Sequence, residues 1–176
     1  FQISNVSSAI ATVRALNKFK ITKNHISKAL IKIRSEGRLQ NIYKGKLRSL
    51  VNKDNEIIID GAHNSLAALE IKKYLKTLNP KKKIIMVLGM MANKEHKEFL
   101  KILKDCVDSI ITLDIPNQSN FMKKEKLTKI AKSFGVVSKT ENSIQEALKN
   151  IAHKNNDATI FCTGSLYLAG EILNLN

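Results

Sequence analysis

This chain is poor in the residues that most readily betray a function by composition. Its 176 residues include two cysteines, two prolines, no tryptophan and only 5% aromatics. Cys106 and Cys162 lie far apart and in no metal-ligand spacing, which excludes a disulfide framework and a cysteine-built zinc site. Both fall in apolar contexts and read as reduced core residues, which fits the cytoplasm. The shortage of aromatics removes the stacking platforms on which single-stranded nucleic acids are held. No apolar run approaches the ~20 residues needed to cross a bilayer, so no membrane association is expected. The N-terminus shows neither a charged leader nor an apolar signal-peptide core. It also lacks an initiator methionine, which predicts that the chain starts inside a larger protein.

Lysine is what the chain has in abundance. The formal net charge is +15, and of 30 basic residues all but Arg14, Arg34, Arg38 and Arg48 are lysines. They are spread over predicted helix faces rather than interleaved with aromatics. That distribution argues against a nucleic-acid partner and suits a mild attraction for small polyanions.

From Glu56 onward the pattern alternates strand and helix. Strands are predicted at 56–60, 83–88, 109–113, 134–138 and 158–162, and helices at 64–78, 94–104, 123–133, 142–153 and 165–174. Asn64, Asn142 and Ser165 are candidate N-caps. This rhythm predicts an α/β fold: a mainly parallel Rossmann-like sheet of about five or six strands with helices on both faces. Two helices precede it, at 1–20 and 23–35, with Asn24 as a cap of the second. They are too small to bury a core alone and read as the end of a truncated preceding domain. The expected organisation is therefore 1–36 as those helices, 37–55 as a hinge or linker with β character from Tyr43 to Val51, and 56–176 as the C-terminal domain.

The most informative segment is Ile57-Ile58-Ile59-Asp60-Gly61-Ala62-His63-Asn64. It runs from a buried strand into an acid, a glycine and a histidine, so Asp60 and His63 sit at a strand's carboxyl end, where open α/β sheets place ligand sites. Read blandly, the same residues are a tight turn and a helix cap. His25, His96 and His153 fall in polar helical stretches and read as surface residues.

The Asp-Gly-Ala-His-Asn run followed by a helix resembles the start of the C-terminal domain of folylpolyglutamate and dihydrofolate synthases, which belong to the Mur-ligase group. Three further stretches resemble the family in the same order. Phe1-Gln2-Ile3-Ser4-Asn5 is similar to a helix closing the central ATPase domain, with Phe1 where His usually stands. Gly37-Arg38-Leu39-Gln40 is similar to the interdomain hinge. Thr163-Gly164-Ser165-Leu166-Tyr167-Leu168-Ala169-Gly170-Glu171 is similar to an element near the family's C-terminus.

The resemblance implies an ATP-dependent ligase, acting as a monomer, that adds L-glutamate to a folate or to dihydropteroate through an acyl phosphate. ATP and Mg²⁺ are the implied cofactors. Carried over position by position, Asn5, Arg38 and Asp60 would bind ATP, and His63 and Ser165 would bind the incoming glutamate. Lys94 stands where relatives often carry a basic residue. No residue of this chain is implied as catalytic or as a metal ligand; the metal ligands are expected mostly in the N-terminal part. The chain holds no Gly-x-x-x-x-Gly-Lys-Ser/Thr run, so a phosphate cradle is lacking and the isolated chain is expected to be inactive. The alternative is a non-catalytic Rossmann-like module whose basic surface recruits an acidic partner.

Overall fold

The computed structural model describes residues 3–16 and 18–176. The Phe1 and Gln2 positions of the first motif lie outside the described residues. The chain divides into two compact units, 1–36 and 37–176.

In the first unit, α1 (Ile3–Ala15) and α2 (Lys23–Lys32) contain no buried residue. Ile3, Phe19 and Ile31 are well exposed. Val6, Ile10 and Val13 of α1 face Ile26, Leu30 and Ile33 across an apolar groove. The cap of α2 is Thr22, not Asn24. The Thr22 side chain accepts the His25 N–H, and the His25 ring accepts the Thr22 N–H, which satisfies two donors reciprocally.

The second unit is built on a six-stranded sheet. Its strands are β1 (Gln40–Asn41), β2 (Glu56–Ile59), β3 (Lys83–Leu88), β4 (Ser109–Thr112), β5 (Ser138–Thr140) and β6 (Ala158–Thr163), in the order β1-β2-β6-β3-β4-β5. Every pairing is parallel except β1 with β2. Parallel neighbours need crossovers, and five helices supply and follow them: α3 (Ser65–Leu75), α4 (His96–Leu103), α5 (Lys124–Ser133), α6 (Ile144–Lys154) and α7 (Leu166–Leu175).

Side-chain alternation along the strands divides the interior into two cores. Ile57, Ile59, Ile85, Val87, Ile160 and Cys162 point to the face covered by α6 and α7. Ile58, Met86, Leu88, Ile110 and Phe161 point to the face covered by α3, α4 and α5. Burial pushes the Cys162 thiol up to about 12, so it stays a protonated core residue.

Residues 37–55, expected as a connector, fold within this unit. β1 pairs with β2, the Ile42 N–H donates to the Ile57 carbonyl, and Leu47 and Val51 enter the core. The stretch from Tyr43 to Val51 is not a strand. It holds a short 3₁₀ turn at Arg48–Leu50, closed by the Arg48 guanidinium on the carbonyls of Val51, Asn52 and Lys53. β5 lies at 138–140 rather than 134–138, because α5 ends at Ser133 and Gly135 turns the chain at φ +79°. Ser143, not Asn142, caps α6 through the Glu146 N–H. No helix among the described residues is long and apolar enough to cross a membrane.

Candidate active-site edge of the sheet

β2, β6 and β3 stand side by side, and their carboxyl ends are knitted together past the strands. Asp60 N–H donates to Cys162 O, Gly89 N–H to Thr163 O, and Gly164 N–H to Ala62 O. Two glycines stand in close approach here. A Cβ on Gly61 would lie 2.2 Å from Leu166 Cδ2, and one on Gly164, at φ +107°, would lie 2.6 Å from the Gly89 carbonyl oxygen. The β2–α3 and β6–α7 loops therefore interlock at one sheet edge.

Asp60 is 2% exposed. It follows the carboxyl end of β2, as expected, but its carboxylate is buried beneath the 37–40 turn rather than exposed there. One oxygen accepts the Leu39 N–H at 2.9 Å and the other the Ala62 N–H at 2.8 Å. Burial pushes this carboxyl above the ordinary carboxylate range, while the two N–H donors and the Arg38 charge pull it back. The turn is further held by Gly61 N–H on Gly37 O at 2.7 Å and by Gly37 N–H on the Gln40 side chain at 2.8 Å. It bends through positive φ at Gly37 (65°) and Leu39 (43°). The Arg38 side chain lies between these two positions, 29% exposed, with one guanidinium nitrogen 4.0 Å from Asp60 Oδ1. That is an ion-pair contact and not a hydrogen bond, and among the described residues the guanidinium makes no hydrogen bond.

A second cluster lies at the same edge. His63, Lys94 and Ser165 line one pocket of about 270 Å³ together with Met91, Asn93, Asn120 and Tyr167. His63 Nδ1 is 2.9 Å from the Gly61 carbonyl and therefore carries a proton. Nε2 is then an acceptor in the neutral ring and a donor in the imidazolium. Asn64 caps α3 by accepting the Ala67 N–H, as expected. Ser165, 2% exposed, caps α7 through the Tyr167 N–H, so the pocket meets a helix N-terminus, where backbone dipoles favour an anion.

Tyr167 belongs to the Thr163–Glu171 motif but was given no role there. Asn93 and Asn120 were not foreseen, and only the fold brings them to the pocket. His96 is buried rather than on the surface, with Nε2 2.9 Å from the Met91 carbonyl. Asn5 lies on α1 and lines the groove between α1 and α2, within the other unit. Among the described residues no group of three or more His, Cys, Asp or Glu converges as a metal site.

The class these observations define is a mainly parallel α/β domain with a buried acid beside a part-exposed arginine, and a pocket lined by His63 and Lys94, at one carboxyl edge. Residues 43–175 match the family model of the dihydrofolate synthetase C-terminal domain. The chain belongs to that family. It is 27% identical to the dihydrofolate synthetase of Saccharomyces cerevisiae, over all of this chain and 44% of that protein. It is also 27% identical to a probable dihydrofolate synthetase of Schizosaccharomyces pombe, over 98% of this chain and 42% of that one. The chain thus spans less than half the length of these relatives. Among solved structures it shares the fold of E. coli FolC in complex with DHPP and ADP (TM-score 0.74, 21% identity, 97% of this chain and 38% of that one). It likewise shares the fold of Mycobacterium tuberculosis folylpolyglutamate synthase complexed with ADP (TM-score 0.77, 21% identity, 95% and 38%). The Yersinia pestis bifunctional folylpolyglutamate synthase/dihydrofolate synthase complexed with AMPPNP and Mn ion is a third (TM-score 0.77, 17% identity, 98% and 38%).

Proposed function

We propose that this chain is the C-terminal part of a cytoplasmic ATP-dependent ligase that joins L-glutamate to dihydropteroate or to a folate. The observation that carries the reading is the convergence of His63, Lys94 and Ser165 in one pocket, at the sheet edge that also presents Arg38. ATP supplies the phosphoryl group that activates the acceptor carboxylate as an acyl phosphate. The glutamate amine then attacks that carbonyl, an amide bond forms, and inorganic phosphate leaves.

The residues of this chain bind and orient. Arg38 offers its fork to nucleotide phosphates, for which a planar, permanently charged guanidinium is suited, and buried Asp60 holds the turn that carries it. Lys94 and the first turn of α7 at Ser165 offer positive charge and N–H donors to the glutamate carboxylates. With Nδ1–H held by Gly61, a neutral His63 ring accepts from the glutamate amine through Nε2, and a protonated ring donates to a carboxylate. Asn5, on α1, is assigned to ATP on the resemblance alone. Mg²⁺ would be held mostly by residues of the N-terminal part; among the described residues no group of three or more His, Cys, Asp or Glu converges. Residues 1–36 are read as the last helices of the preceding ATPase domain, which accounts for their unburied apolar faces.

The test is release of phosphate that depends on ATP, glutamate and dihydropteroate or folate. The full-length protein is expected to show it. The purified 176-residue chain, with no phosphate-binding loop in its sequence, is expected to show none, because positioning and charge stabilisation of the transferred phosphoryl group carry most of such catalysis. A full-length protein that binds an acidic protein partner but never turns over these substrates would overturn the proposal.

A further inference from the structure

The pocket wall formed by the loop after β3 is held by one buried side chain. His96 opens α4 and is 7% exposed, although Lys97 and Glu98 beside it face solvent. Its Nε2 lies 2.9 Å from the Met91 carbonyl. A carbonyl only accepts, so Nε2 carries a proton in either charge state of the ring. The backbone N–H of the same residue donates to the Lys94 carbonyl at 3.0 Å. One residue therefore ties both ends of the 91–94 segment. The other side of that segment is stitched to the loop after β4 by Ala92 N–H on Asn120 O (3.0 Å), Met122 N–H on Met90 O (2.8 Å) and an antiparallel bridge from Met91 to Phe121.

Asn93 and Asn120 are exposed, so core packing does not place their side chains. Their positions in the pocket follow from these backbone ties. A histidine is also a poor choice for filling a core position, since a buried polar ring needs a partner. Here that partner is the carbonyl of a residue that itself lines the pocket.

We infer that His96 is a positioning residue for the amino-acid pocket, acting through the Met91 carbonyl to fix the wall that carries Asn93, Lys94 and Asn120. The inference rests on reading that pocket as the glutamate site. It assigns His96 no contact with any substrate.

The test uses His96→Phe, His96→Gln and His63→Ala in the full-length protein, with KM measured separately for glutamate and ATP. Phenylalanine keeps a planar ring and removes the donor, so the glutamate KM should rise about tenfold while the ATP KM moves less than about twofold, the signature of lost binding to one substrate. Glutamine can donate to the same carbonyl and should stay within about threefold of wild type. A His96→Phe variant that shifts both KM values equally, or a glutamine variant no better than phenylalanine, shows a mere core residue and overturns the inference. If phenylalanine prevents folding, His96→Leu against His96→Gln carries the same comparison. If His63→Ala raises the glutamate KM while His96→Phe does not, the positioning role alone is lost. If His63→Ala leaves the glutamate KM unchanged, the reading of the pocket falls and this inference falls with it.

Discussion

Replacing Asp60 with alanine is expected to lower the stability of the 37–176 unit by about 2–4 kcal/mol, because two backbone donors lose their acceptor at once. The loss corresponds to a fall of roughly 10 °C in the unfolding midpoint of a unit this size. The Ala62 N–H is buried, so losing its acceptor costs more there than at the part-buried Leu39 N–H. Asp60→Asn keeps one acceptor oxygen and removes a charge that burial disfavours, so it should retain much of the stability. Thermal unfolding of the three proteins reads this directly. If alanine and asparagine are equally mild, the carboxylate does not hold the turn. The acid is therefore both a tie between the 37–40 turn and β2 and the neighbour of Arg38.

Arg38→Ala is expected to weaken nucleotide affinity by about ten- to a hundredfold, as loss of a charge-assisted contact worth ~1.5–3 kcal/mol implies. Stability should change little. The guanidinium makes no hydrogen bond within the described residues, and its ion pair with Asp60 is long, at 4.0 Å. Arg38→Lys should recover only part of the affinity, since a single ammonium cannot reproduce the fork. Titration of the full-length protein with ATP or ADP measures both effects. Unchanged affinity in Arg38→Ala would leave the residue as a surface cation on the turn.

The sheet was legible because its strands advertise themselves. Ile57-Ile58-Ile59 and Ile84-Ile85-Met86-Val87-Leu88 are continuous apolar runs of the kind that parallel strands buried on both faces require. The misses have local causes. Val136-Val137 drew the fifth strand forward, yet Val136 packs into the core just after Gly135 ends the helix, and Val137 is exposed. β1 is two residues long, too short to carry any period. Its pairing depends on a turn through positive φ at Leu39 that no propensity announces.

At the site, placing Asp60, His63 and Ser165 at strand ends needed only the strand boundaries. Bringing His63 and Ser165 together needed the strand order, because β2 and β6 are neighbours although four elements of helix and three of strand separate them in sequence. The burial of Asp60 was invisible because its partner N–H belongs to Leu39, on the turn before β1. His96 was misread for a similar reason. Its flanks are polar, and only the fold of the 91–94 segment turns the ring inward to Met91.

The most direct test of the account is the pair of KM values for glutamate and ATP in full-length His63→Ala with the folate substrate saturating. The assignment of the pocket predicts a glutamate KM raised about tenfold with the ATP KM nearly unchanged, and a smaller shift in the same direction for Ser165→Ala. A rise in the ATP KM with glutamate unaffected would move His63 to the nucleotide site and contradict the account.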